Sequence, residues 1–366
     1  MVYEFSIIDL LPYVLMLLIL NVLKNSESFE EDKVLWCFGA MFLFSACRYG
    51  IGYDYYAYKD ISEGLTVSGY DRLEFLSKLL ADIASFTHYQ VFFVLSSFLT
   101  LFPLLVVSKR LSVNPTYSLI IYFLFPIFYL ESLSIVRNAI AYSFVLLAYL
   151  YLSERKIVLS VLMVFVAFLF HKSGAIGFII YIIYYIKNRW DIHLILYVAS
   201  FLLTVAVMNL VGRFSSAIPL LALIEHYAEA SATGGGLMTY IINAIAIINF
   251  LFWRRLVEYD PRNSVYLGLV NVGVFMWNLF LIVDSTIALR LSSFFVLFDI
   301  FLIPQYGQVV SEKLSVFVDR SVYIFFLLLF MSSFAVSIRS YDGTDRMSNL
   351  PYQTVFYHTD YYNYVY

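Results

Sequence analysis

The chain has 366 residues, 62% hydrophobic and only 13% charged, with a formal net charge of −3 and a mean hydropathy of +0.81. Soluble domains carry roughly 25% charged residues, and apolar runs long enough to cross a bilayer recur here from end to end. A soluble enzyme, a β-barrel of alternating segments about ten residues long and a broad nucleic-acid-binding surface are excluded; the sequence predicts an all-α, polytopic integral membrane protein forming a single domain over 1–366.

The hydrophobic runs predict about twelve helices, near 6–23, 34–48, 89–107, 117–131, 134–152, 157–170, 174–186, 192–211, 237–253, 265–283, 289–304 and 321–338. Several are short for a span of about 20 residues and must tilt little, thin the bilayer or end in a water-filled cavity. The first run has neither a basic leading segment nor a small-residue cleavage site, so it is expected to stay as a helix. Cys37 and Cys47 share one apolar run; ten helical residues separate them by about 15 Å, too far for a disulfide.

Basic residues in short loops set the expected orientation. Lys24 and Lys33, Lys109 and Arg110, Arg155 and Lys156, Lys187 and Arg189, Arg254, Arg255 and Arg262, and Lys313 and Arg320 fall on one set of loops. That side is expected to be cytoplasmic, with both termini outside. The other side also carries basic residues, and four groups sit at helix ends. Arg48 ends the second helix, Arg137 begins the fifth, His171-Lys172 ends the sixth and Arg290 begins the eleventh. Charge at membrane depth is costly and usually functional; snorkelling to lipid phosphates is the plainer alternative.

Three outer segments are expected. A long loop over 48–88 contains an amphipathic helix start at Asp71-Arg72-Leu73-Glu74-Phe75-Leu76. A second, over 212–236, holds Arg213, Glu225, His226, Tyr227, Glu229 and the run Gly234-Gly235-Gly236, read as a hinge. A tail over 339–366 carries Leu350-Pro351-Tyr352 and six tyrosines from Tyr352 to Tyr366, suited to a membrane interface or to sugar stacking.

There is no Walker loop, no Gly-x-Ser-x-Gly elbow and no zinc-like spacing of His, Cys and carboxylates; no metal and no cofactor is expected. Intramembrane acids are scarce, Asp284 at a helix end being the main one. Arginine stays charged and grips two phosphate oxygens at once, so outer helix-end arginines suit a lipid-linked diphosphate. If that diphosphate leaves, they stabilise the developing charge. A hydroxyl acceptor then needs a base, and His171, Asp54 and Glu74 are on the same side.

The most specific stretch is Arg48-Tyr49-Gly50-Ile51-Gly52-Tyr53-Asp54-Tyr55-Tyr56-Ala57-Tyr58. It resembles the Arg-x-Gly-x-Gly-Thr-Asp-Tyr-x-x-Tyr signature of the EpsG family of Wzy-like exopolysaccharide and O-antigen polymerases, with Tyr53 in place of the usual Thr. Ile135-Val136-Arg137-Asn138-Ala139-Ile140-Ala141 is similar to the family's Arg-Gln-x-Ile-Ala stretch, with Asn138 for Gln. Phe170-His171-Lys172-Ser173-Gly174-Ala175 is similar to its His-Lys/Ser-Ser-Ala stretch. Arg290 and Pro351-Tyr352 fall where the family tends to carry an arginine and a Pro-Tyr.

The resemblance implies a C-type glycosyltransferase-like polymerase of the bacterial inner membrane, working at the periplasmic face. It would move a glycan from undecaprenyl diphosphate to the non-reducing end of another lipid-linked repeat unit. His171 is the expected general base, with Asp54 second. Arg48, Arg137 and Arg290, then Arg213, Tyr55, Glu74, Lys172 and Tyr352, are the expected contacts to diphosphate or glycan. Partners would be undecaprenyl-diphosphate-linked oligosaccharides and membrane lipid, with a chain-length regulator and a flippase of the same pathway as candidate protein partners and no nucleic acid. The competing readings are a flippase or exporter of the same lipid-linked glycans, and another outer-face glycosyltransferase or ligase.

Overall fold

A computed structural model describes residues 5–214, 236–281, 284–339, 341 and 347–359. Most of the segment expected as a loop over 212–236, including Glu225, His226, Tyr227 and Glu229, lies outside the described residues, as do Arg346 and the tail tyrosines from Tyr361 on. The described chain is helical nearly throughout. Among the described residues, five helices are long and apolar enough to cross a membrane, or six if one bent pair is a single span. This is an all-α membrane protein. Its internal contacts divide it into two units, Met1–Ala175 with Asp319–Tyr366, and Ile176–Val318.

In the first unit, α1 (Leu11–Asn25) and α2 (Glu30–Ala46) lead to a two-residue strand, β1 (Arg48–Tyr49). The segment expected as loop then folds into three helices, α3 (Tyr55–Ser62), α4 (Val67–Asp71) and α5 (Phe75–Ser85). The long α6 (Gln90–Leu111) follows, and α5 packs on it through Leu80, Ala81 and Ala84. The helix expected over 117–131 is broken. Asn114 caps α7 (Pro115–Leu124) by accepting from the Tyr117 amide, and Phe125, placed before Pro126, turns extended. A single turn, α8 (Tyr129–Ser132), precedes α9 (Val136–Ser153) and α10 (Ile157–Phe170). The outer face of α10 exposes Val158, Phe165 and Phe168, as a lipid-facing helix would.

Charges gather at the ends of these helices, where the end of α6 meets the end of α9. At one end, Lys33 pairs with Glu30 at 2.9 Å, Lys109 reaches Glu31 at 4.0 Å, and Glu154 joins Arg110 and Lys156 at 2.7 Å each. Hydrogen bonds from Lys156 and then Arg110 hold the Glu154 carboxyl below its usual pKa range. Arg48, Glu74, Arg137 and His171 lie toward the opposite end.

The last helix returns to this unit. Helix α17 (Glu312–Arg339), whose start belongs to the second unit, packs Phe330 and Phe334 on Tyr13, and the segment after it folds back onto the start of the chain. Strand β2 (Gln353–Thr354) pairs antiparallel with β1, Arg48 opposite Thr354 and Tyr49 opposite Gln353. The Gly52 amide donates to the Ser348 carbonyl at 2.7 Å and the Tyr13 hydroxyl to the Asn349 carbonyl at 2.6 Å.

The second unit contains α11 (Ile179–Ile186), α12 (Trp190–Phe214), α13 (Gly236–Tyr259), α14 (Asn263–Phe280), α15 (Ser285–Val296) and α16 (Asp299–Leu302). Helix α14 is the centre, buried without interruption from Asn263 to Val274. The helix expected over 289–304 is bent by 43° between α15 and the turn from Asp299. Buried amides tie this unit together: Asn249 donates to Asp299 at 2.9 Å, and Asn263 and Gln305 bond reciprocally. Asp284 caps α15 by accepting from the Ile287 amide at 2.8 Å.

One contact of the first unit is sharper than any helix packing. Gly52 has φ +98°, and a Cβ there would sit 1.9 Å from the Leu133 carbonyl oxygen. Gly52→Ala is expected to lower stability by about 1–3 kcal/mol. Gly39, in α2 with open space around it, is expected to gain about 0.5–1 kcal/mol on replacement by Ala. Thermal denaturation of the detergent-purified variants checks both.

Candidate functional site

The Gly50–Gly52 turn follows β1 and lies against the start of α9. Gly50 and Gly52 both have positive φ, and the Tyr53 amide donates to Ser134 Oγ at 3.0 Å. This turn sets the direction of α3. From α3, the buried Tyr58 presents its hydroxyl to Arg137 Nε at 3.0 Å. Arg137 stands in the first turn of α9.

Arg137 is the hub. Its Nη1 lies 2.5 Å from Glu74 Oε2, with side chains 24% and 11% exposed, and it reaches the Arg72 carbonyl at 3.4 Å. Glu74 immediately precedes α5, and its other oxygen accepts from the Lys172 amide at 3.2 Å. That amide belongs to the 3₁₀ turn Lys172–Phe178 after α10. His171, the residue before that turn, and Ser173 within it lie against α9: His171 Nδ1 is 2.5 Å from Ser173 Oγ, which donates to Asn138 Oδ1 at 2.9 Å. The turn is held by Ser77 of α5, whose hydroxyl donates to the Phe170 carbonyl at 2.9 Å.

Arg137, Glu74, His171 and Lys172, all singled out in the sequence, are therefore brought to one corner from three separate segments. Tyr58, Asn138 and Ser173 complete it. Each stood inside a recognised stretch, but nothing in the spacing distinguished it from its neighbours. Glu74 is the counter-charge of Arg137.

Arg48 occupies a different environment. It is 1% exposed. Its Nη1 donates to the Ser45 carbonyl at 2.7 Å and to Ser97 Oγ at 3.2 Å, and the guanidinium lies 4.9 Å from the Phe93 ring. No carboxylate pairs with it among the described residues, and its buried Nε has no partner. A cavity of about 10 Å³, bordered by Ser96, Thr100, Tyr129 and Ser132, adjoins it, room for a single water. The hydroxyls of Ser96, Tyr129 and Ser132 donate to backbone carbonyls, so they offer this cavity lone pairs rather than protons.

Two other expected contacts are packing groups. Tyr55 is buried, stacked on Phe93 at 4.2 Å, its hydroxyl 3.4 Å from Gln90 Oε1. Tyr352 stacks on Phe44 at 4.0 Å and donates to the Phe44 carbonyl at 2.5 Å. Asp54 is partly buried at the residue before α3. Arg290, half-buried in α15, and Arg213, exposed near the end of α12, belong to the second unit. Among the described residues no cluster of three or more His, Cys, Asp or Glu could hold a metal ion.

Chemically, the corner offers a guanidinium and a backbone N–H converging on one carboxylate, next to an imidazole fixed at one nitrogen. An incoming phosphate would compete with Glu74 for Arg137, in the two-pronged geometry that Arg provides. Removing one partner of a shielded ion pair leaves the other uncompensated. Glu74→Gln and Arg137→Gln are therefore expected to be non-additive, with a coupling of about 1–3 kcal/mol, read from thermal denaturation of the two single variants and the double variant.

Residues 33–354 match the profile of the EpsG family. No curated protein and no solved structure matches the chain.

Proposed function

Because the chain belongs to the EpsG family, a family of Wzy-like polymerases, we propose that it lengthens a polysaccharide at the periplasmic face of the bacterial inner membrane. The donor is a glycan on undecaprenyl diphosphate, and the acceptor is the non-reducing end of another undecaprenyl-diphosphate-linked repeat unit. The observation that carries this reading is the convergence of Arg137, Glu74 and His171 on one corner at one end of the first unit. The orientation rests on the paired basic residues gathered at the other end of that unit.

In the reaction, an acceptor hydroxyl attacks the anomeric carbon of the donor. The carbon–oxygen bond to the diphosphate breaks, and undecaprenyl diphosphate leaves with the bonding electrons. His171 takes the hydroxyl proton. Asp54 is the second candidate base. Arg137 and Lys172 hold the diphosphate and meet the charge that develops on it. Arg290 and Arg213 are assigned to the second lipid diphosphate. Arg48, buried away from solvent, supports the fold of the Gly50–Gly52 turn rather than the substrate. A chain-length regulator and the pathway's flippase are the protein partners this reaction calls for.

The test is polysaccharide length in cells expressing variants of the full chain at wild-type level. His171→Ala is expected to leave single repeat units on the outer glycan. Arg137→Lys keeps the charge but loses the fork, and is expected to reduce polymerisation at least about tenfold. Wild-type length in His171→Ala would remove the base role. A null strain with no repeat unit outside the membrane would favour a flippase instead.

A further inference from the structure

The three nitrogens of the Arg137 guanidinium are not used alike. Nε donates to the Tyr58 hydroxyl at 3.0 Å. Nη1 donates to Glu74 Oε2 at 2.5 Å and reaches the Arg72 carbonyl at 3.4 Å. Nη2 has no hydrogen bond to any described residue. A guanidinium can meet an anion on its side edge, where Nε and one terminal nitrogen lie, or on its end edge, where Nη1 and Nη2 lie.

Tyr58 closes the side edge. The single hydrogen of Nε goes to its hydroxyl, and the hydroxyl is itself held in place. Tyr58 is 4% exposed, and its ring stacks on Phe92 of α6 with centroids 4.8 Å apart at 20°. Its amide donates to the Asp54 carbonyl at 3.1 Å, closing the first turn of α3. The end edge is the one left for a ligand: Nη2 is open, and Nη1 is shared with a carboxylate that an anion can replace.

We propose that Tyr58 is a positioning residue that aims Arg137, so that the diphosphate enters on Nη2 and completes a two-pronged grip on Nη1 by displacing Glu74. The inference rests on Arg137 being a diphosphate contact of the proposed reaction. Tyr58 touches the arginine and not the substrate. Its bond to Nε is the same before and after the exchange, so it adds no attraction for the anion. It removes freedom that a long side chain would otherwise lose on binding. Of the two side-chain partners of Arg137 among the described residues, Tyr58 alone stays when the anion takes the place of Glu74.

The test measures binding of undecaprenyl diphosphate, the leaving group itself, to the detergent-purified full chain. Arg137→Gln is expected to weaken binding at least about tenfold. Tyr58→Phe keeps the ring on Phe92 and drops the hydroxyl, and is expected to weaken binding about three- to tenfold. Lysine keeps the charge but has no Nε donor for Tyr58 to hold. In an Arg137→Lys background, Tyr58→Phe is therefore expected to change binding less than about twofold. Thermal denaturation of each variant confirms that it is folded.

If Arg137→Gln loses binding and Tyr58→Phe does not, the proposal is overturned while the diphosphate contact stands. If Arg137→Gln binds as tightly as the wild type, the diphosphate contact has failed and the inference falls with it. Equal weakening by Tyr58→Phe in the arginine and lysine backgrounds marks a general loss of packing, and overturns the proposal as well.

Discussion

The ion pair between Arg137 and Glu74 adds a charged contact to segments of the chain that also share an apolar cluster. Glu74 begins a short helix in a region of low hydropathy, and Arg137 begins a long apolar one. Through Tyr58 and the Lys172 amide the pair also gathers α3 and the turn after α10. Between lipid and water such a pair is neither a screened surface bridge worth a few tenths of a kcal/mol nor a fully dry one dominated by desolvation. It is held at intermediate exposure, where a competing anion can still reach the guanidinium.

Much of this was legible in the residues themselves. Helix positions follow from hydropathy, because in lipid a helix is the cheapest way to satisfy every backbone donor and acceptor. The family resemblance pointed to Arg137, His171 and Lys172, and these do share a corner. The breaks were harder to see. Pro126 divides one expected helix because its predecessor cannot stay helical, yet Pro103 is accommodated within α6. Between Arg48 and His88 only the start of α5 was legible, as the amphipathic stretch Asp71–Leu76; the polarity of α3 and α4 reads as loop until α3 finds apolar partners in Phe92 and Phe93.

Arg48 shows the limit of reading charge from sequence. An arginine after an apolar run looks like a group that reaches for solvent. Here the chain turns back under it, and backbone carbonyl, serine hydroxyl and aromatic ring replace the missing carboxylate. Those partners come from residues spread over Ser45, Phe93 and Ser97, and no spacing rule connects them. Tyr55 and Tyr352 likewise proved to be packing groups, because an aromatic ring with its hydroxyl satisfied is equally at home in a core.

The pairing of β1 with β2 has a consequence for biosynthesis. Arg48 and Thr354 are neighbours in space but lie almost a chain length apart, a contact of very high sequence separation that pays its loop-closure entropy last. The Gly50–Gly52 turn receives the Ser348 carbonyl only after every intervening helix has left the ribosome and entered the bilayer. The corner that gathers Arg137 and His171 is therefore finished at the end of synthesis, and a chain stalled before the last helix would reach the membrane with that turn unsupported.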